Sequence, residues 1–185
     1  MPGSSISTPG GGQAWADPDY MGFQMWTNTP AQTYSYFQLA GGTFDVALVM
    51  CRRSTTITKM GCWVMVAGSN PVGGDTSGLA IYSSAGVLLG STGNNPSIFE
   101  STGFQEASLT SGVPVVAGQA YYLCLLTAFN TEPYLMGTVT GNNQNLPEMN
   151  GLYASAYILA QTSFPASFSV GSLTGDTGTC FQTAR

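Results

Sequence analysis

Chemistry near neutral pH needs side chains that can give up, accept or hold charge, and this sequence offers few. It has no histidine, nine acidic residues and four basic ones, Arg52, Arg53, Lys59 and Arg185. Without an imidazole, a Ser-His-Asp triad, a Cys-His pair and the two-His-one-carboxylate metal set are excluded. A glycosidase needs only two carboxylates at suitable spacing. Asp17, Asp19, Asp45, Glu100, Glu106, Glu132 and Glu148 supply carboxylates. Most fall in loops or near the N-terminus, away from the apolar strand ends where burial would raise a general acid's pKa.

Asp176-Thr177-Gly178 matches the triplet of aspartic proteases, and Asp75-Thr76-Ser77-Gly78 nearly does. Those enzymes place the triplet at the end of an apolar strand, so that two carboxylates meet and share a proton. Here Asp176 follows Leu173-Thr174-Gly175, which reads as a polar turn. Asp75 in its Gly-rich loop, or Asp17 with Asp19, could join backbone carbonyls around calcium, but neither has the regular acid spacing of a calcium loop. The four cysteines, Cys51, Cys62, Cys124 and Cys180, form no CxxC pair. With no histidine to join them, a zinc site would have to be all-thiolate from scattered positions. Three lie in apolar runs and read as small buried hydrophobes. A disulfide stays open, because connectivity is not written in spacing. The expectation is a chain with no catalytic centre, no cofactor and no metal.

Aromatic residues are the remaining candidates for function. Trp15, Tyr20, Phe23 and Trp26 fall in an N-terminal stretch with no helical period, interrupted by Pro18 and Gly22, after the flexible composition of Ser4 to Gly12. They read as anchors of an extended arm, docking on a neighbouring subunit or on the chain's own domain. Tyr82, Tyr134, Tyr153 and Tyr157 lie in strand-like segments, where tyrosines stack on sugar rings, fill interfaces or pack in a core.

The elements that must carry these residues are strands. Period-2 alternation begins near residue 31 and recurs in short runs, among them 33–39, 44–51, 55–67, 79–83, 87–90, 104–109, 120–126, 134–139, 152–159 and 164–170. Gly and Asn clusters separate them, and Ser84-Ala85-Gly86 is a hairpin signal. In the longest run, Ile57, Lys59, Gly61, Trp63 and Met65 alternate with Met60, Cys62, Val64 and Val66, so both faces look partly covered. No window carries a helical stripe. The fold expected is an all-β antiparallel sandwich, jelly-roll-like, over residues 31–185, behind an extended arm over residues 1–30.

Composition narrows the partners. Charged residues make up 7% of the chain, against about 25% in ordinary soluble domains, so the surface is covered by Ser, Thr, Asn, Gln and Gly. Such a surface suits close packing among many copies or contact with neutral sugars. A net charge of −5 argues against nucleic acid, which demands clustered Lys and Arg. No run approaches the roughly 18 apolar residues of a membrane span, and the first residues lack the basic and apolar regions of a signal peptide.

One stretch has a wider resemblance. The strings STTITKMGCWVMVAG (54–68), SGLAIYSSAGVLLGST (77–92) and ASLTSGVPVVAGQAYYLCLL (107–126) resemble a β-sandwich module of tail-associated and surface proteins of tailed phages, especially those of actinobacteria. The likeness covers residues 46–127 and carries no catalytic residue. It implies a virion structural protein, as a capsid decoration or minor tail protein, with other virion proteins and copies of itself as partners. The alternative reading is a carbohydrate- or receptor-binding adhesin module.

Overall fold

The computed structural model describes residues 22–27, 35–139, 155–175 and 178–185. Its strands are β1 (Met25–Trp26), β2 (Ser35–Gln38), β3 (Phe44–Met50), β4 (Thr55–Val66), β5 (Ser69–Pro71), β6 (Gly78–Ser83), β7 (Leu88–Ser91), β8 (Gly103–Val115), β9 (Ala120–Leu126), β10 (Phe129–Thr131), β11 (Tyr134–Val139), β12 (Ser155–Ile158), β13 (Thr174–Gly175), β14 (Gly178–Cys180) and β15 (Gln182–Ala184). No α-helix occurs among the described residues, and all the strand pairs are antiparallel.

The strands form two large sheets and one small ribbon. The first sheet runs β1-β15-β4-β11-β14, with β8 also on β4 and β2 also on β11. The second runs β13-β12-β3-β9-β6-β7, and β5 pairs with β10 at one end of the molecule. From β2 to β11 the chain passes from sheet to sheet at every step between their strands except the β6–β7 hairpin. That hairpin turns where Ser84-Ala85-Gly86 predicts it, with Gly86 at φ 77° and its N–H donating to the Ser83 carbonyl. The β8-to-β9 crossing is pinned by Tyr121, whose phenol accepts the Val116 N–H at 2.9 Å.

Alternation along the strands builds the core between the sheets. Met60, Cys62 and Val64 of β4 meet Leu79 and Ile81 of β6 and Leu123 and Leu125 of β9, all fully buried. Ile57 corrects the simple alternation. It was expected to share a face with Lys59 and Trp63, but a shift in the β4–β8 register between Ile57 and Lys59 turns it into the core. At the far end of β4, Val66 corrects the alternation as well: a shift in the β4–β11 register between Tyr134 and Leu135 sets it across from Tyr134, and it is 52% exposed instead of inward with Val64.

The second sheet is buried on its outer face as well. Phe44, Val46, Ala80, Tyr82, Tyr122, Cys124 and Leu126 form a second apolar cluster there. It is closed by Phe168 and Leu173, with Phe164 and Val170 packed against it. These four residues belong to the connection between β12 and β13. Residues 164–170 read as a strand in sequence but do not form one. Their chain lies over the β6–β7 hairpin, held by Leu88 N–H to Ala166 O, Phe168 N–H to Gly86 O and the Tyr82 hydroxyl to Pro165 O. The near-continuous apolar runs of β6 and β9 follow from this double burial.

Candidate functional site

Three regions hold the side chains that the sequence marks out. The first is the outer face of the first sheet. Alternation sends Trp63 and Met65 of β4 outward, opposite Cys62 and Val64. Phe104 of β8 lies across from Trp63, with ring centroids 6.4 Å apart. Phe23 packs on Phe104 at 5.6 Å and on Trp26 at 6.5 Å. Trp63, Met65 and Phe104 are each more than a third exposed.

Phe23 and Trp26 thus sit on the chain's own sandwich. Met25 is inserted into the core, Gln24 and Thr27 donate backbone N–H groups to Ala184 and Gln182, and β1 extends the sheet beside β15. Of the two docking sites considered for these aromatics, residues 23–27 use the chain's own domain. Trp15 and Tyr20 lie outside the described residues.

The same face ends in a cleft. Tyr36 on β2 is 65% exposed and meets the half-buried Tyr134 of β11 edge to face at 5.6 Å. With Met65 and Val66 they line a cleft of about 380 Å³. Sequence reasoning singled out Tyr134 but passed over Tyr36. The signal was its place between Ser35 and Phe37: Phe37 packs against the core, so its neighbour Tyr36 must face out.

The other selected tyrosines behave differently. Tyr82 corrects the expectation of a surface aromatic. It has no exposed surface, and it packs against Phe44 and Phe168 at 5.5 and 5.1 Å. Its hydroxyl is spent on Pro165, and burial, reinforced by Cys124, raises its pKa. Tyr157 is half-buried on β12, across from Asp45 and Thr174. Tyr153 lies outside the described residues.

The second region is a platform of connections at one end of the sandwich. Gly42 N–H donates to Thr127 O, Gln161 N–H to Gly42 O, Thr76 N–H to Thr162 O and Val72 N–H to Ala128 O. Glu132 lies beneath it, buried, with Oε1 accepting the Phe129 N–H at 2.8 Å. Burial pushes its carboxyl pKa up, against the lowering effect of Phe129 and the Thr127 hydroxyl. The second Glu132 oxygen and the Thr127 hydroxyl are both buried. A Cβ at Gly41 would sit 2.9 Å from Glu132 Oε1, so a larger residue there would displace the carboxyl that accepts the Phe129 N–H. Asp75 lines the shallow cavity of about 250 Å³ on the other side of Gly41 and Gly42.

The third region is the set of buried polar groups. Asp45 lies inside β3, 1% exposed, and accepts a hydrogen bond from Gln182 Nε2 at 3.2 Å. All four cysteines are buried and none is in a disulfide. Burial pushes Cys62 up to about 12 and raises Cys124, the latter with help from Asp45. A thiol held protonated is a poor nucleophile, so Cys62 and Cys124 serve as packing. Glu106 is joined to two cations, Arg185 at 2.6 Å and Lys59 at 3.3 Å. Among the described residues no three acidic or thiol groups converge as a metal-ligand cluster.

The chain matches no known protein family and no curated protein.

Proposed function

We propose that this chain is a structural component of a phage particle, a small jelly-roll domain placed on the capsid or tail surface and attached through aromatic side chains. What supports the jelly roll is the strand order. Within the two sheets, β2-β11-β4-β8 faces β3-β9-β6-β7, and the chain crosses between them as two Greek keys would require. Viral capsid domains and lectins both use that wiring, so wiring alone does not choose a role.

The observation that carries the structural role is the open aromatic face of the first sheet. Trp63, Phe104, Met65 and Tyr36 form an exposed apolar row on a chain with 7% charged residues. Exposed apolar patches of this kind mark contact surfaces, and aromatic and Met side chains are enriched where proteins meet. Low charge lets neighbouring copies pack without mutual repulsion. Lys59 and Arg185 beside this face share Glu106, which offsets one of their two positive charges.

Cryo-electron microscopy of particles from the chain's source tests the proposal. Ordered copies at regular positions, with the Trp63–Phe104 face against a neighbour, are expected. Purified particles that lack the chain would sink it.

A further inference from the structure

The cleft beside Tyr36 and Tyr134 does not end at the tyrosines. Side chains two apart on a strand share a face, so Gln38 follows Tyr36 along the outer side of β2. Tyr134 lies directly across from Gln38 on one side and from Val66 on the other. Past Gln38 a second cleft opens, about 410 Å³, lined by Gln38, Leu39, Ala40, Asn130, Thr131 and Glu132. Gln38 belongs to its lining and is the ladder partner of Tyr134, which lines the first cleft, so the two clefts are neighbours across β2 and β11. The first is aromatic and thioether; the second offers amides and a hydroxyl.

Charge narrows the occupant. Among the described residues, Glu132 is the only ionisable carboxyl or amine along the two clefts, and it is 8% exposed with one oxygen committed to the Phe129 N–H. A phosphorylated, sulfated or strongly basic ligand finds no countercharge there. A flat apolar partner would use the tyrosines but leave Gln38, Asn130 and Thr131 without hydrogen bonds. A sugar ring has both an apolar C–H face and a rim of hydroxyls. Tyr36 and Tyr134 present an edge-to-face pair of rings for the first, and the side-chain amides of Gln38 and Asn130 pair with the second. Gln38 Nε2 already donates to the Glu132 carbonyl at 3.4 Å, a long bond that orients the amide and is easily exchanged for a ligand hydroxyl. Each cleft falls within the size of small-molecule sites, on the order of 300–1,000 Å³.

The geometry points to a binding groove for a neutral oligosaccharide, with Tyr36 and Tyr134 as its stacking floor and Gln38 and Asn130 as its polar rim. This site shares Tyr36 and Met65 with the contact face proposed above and leaves its Trp63–Phe104 end free, so the Trp63 and Tyr36 variants tell the two roles apart.

The test uses the full chain on an array of neutral and acidic oligosaccharides, followed by titration calorimetry with the neutral sugar that binds best. Tyr36→Ala and Tyr134→Ala are each expected to weaken binding by about tenfold or more, as truncation of a central aromatic contact does. Trp63→Ala should leave it unchanged. Thermal unfolding checks that each variant is folded; Tyr36 is exposed enough for its loss to spare the core. Absence of binding to any neutral sugar at millimolar concentration overturns the inference. Binding restricted to acidic sugars, or binding that survives both tyrosine substitutions, overturns it too. A self-association that is lost in the tyrosine variants, with no sugar bound by the wild-type chain, would assign the groove to a second copy instead.

Discussion

The two outer faces of this sandwich start from similar residues and end differently. The first sheet turns Tyr36, Trp63, Met65 and Phe104 outward and leaves them partly in solvent. The second turns Phe44, Tyr82 and Tyr122 outward and buries them completely. The difference comes from the β12–β13 connection, which lays Phe164 and Phe168 over the second sheet. An aromatic row on a strand is therefore core wherever the chain supplies its own cover, and contact surface where it does not.

The comparison breaks most readily at Phe168. Its ring lies within 5.1–5.7 Å of Tyr82, Tyr122 and Phe44. Phe168→Ala should cost about 3–4 kcal/mol in urea unfolding, from lost burial and the cavity left behind. A cost near that of a surface substitution would mean that the second face needs no cover.

A step smaller is Gly86→Ala. Gly86 has φ 77°, and a Cβ there would collide with the Phe168 carbonyl oxygen. Positive φ alone disfavours alanine by about 1 kcal/mol, and the collision would lift the cover from the hairpin. Hydrogen exchange should speed up at the Phe168 and Leu88 amides, which bond across this contact.

Glu132 sharpens the comparison through pH, because it sits under the Gly41–Gly42 turn to which the cover is tied through Gln161. Its folded pKa lies above the ordinary 4.5, so the folded chain holds this proton more tightly than the unfolded one. The stability it contributes is complete below the unfolded pKa and is lost as pH rises through the raised folded value. Glu132→Gln should flatten this segment of the stability–pH curve. An unchanged curve would show that the carboxyl does not titrate in that range.

The smallest effect belongs to the open face. Trp63→Ala and Tyr36→Ala should each change stability by no more than about 1 kcal/mol, while contacts with a partner or ligand suffer. A loss comparable to that of Phe168→Ala would erase the distinction between the faces.

Much of the fold was legible in the residues. The runs at 55–67, 79–83 and 120–126 give β4, β6 and β9, and the hairpin between β6 and β7 follows from its turn residues. The candidate site was only half legible. Tyr134 was singled out for its place in a strand, yet the same reasoning selected Tyr82, which is core, and passed over Tyr36. Phe164 to Val170 alternates like a strand but serves as cover, because alternation records which side chains share a face and not whether a ladder partner is present.

The sequence by itself determined that this chain is all-β in class, that its catalytic options exclude histidine chemistry, and that it carries little charge. Those follow from residue types and from the period of two, which are local properties. Tertiary structure alone decided which aromatic row is covered, that Ile57 turns inward at a bulge, and that Tyr36 and Tyr134 line one cleft. These depend on contacts between segments far apart in the chain, as where β2 meets β11 and where the β12–β13 connection comes to rest on β6 and β7. Local periodicity fixes the direction of a side chain; what it then meets is set by the rest of the molecule.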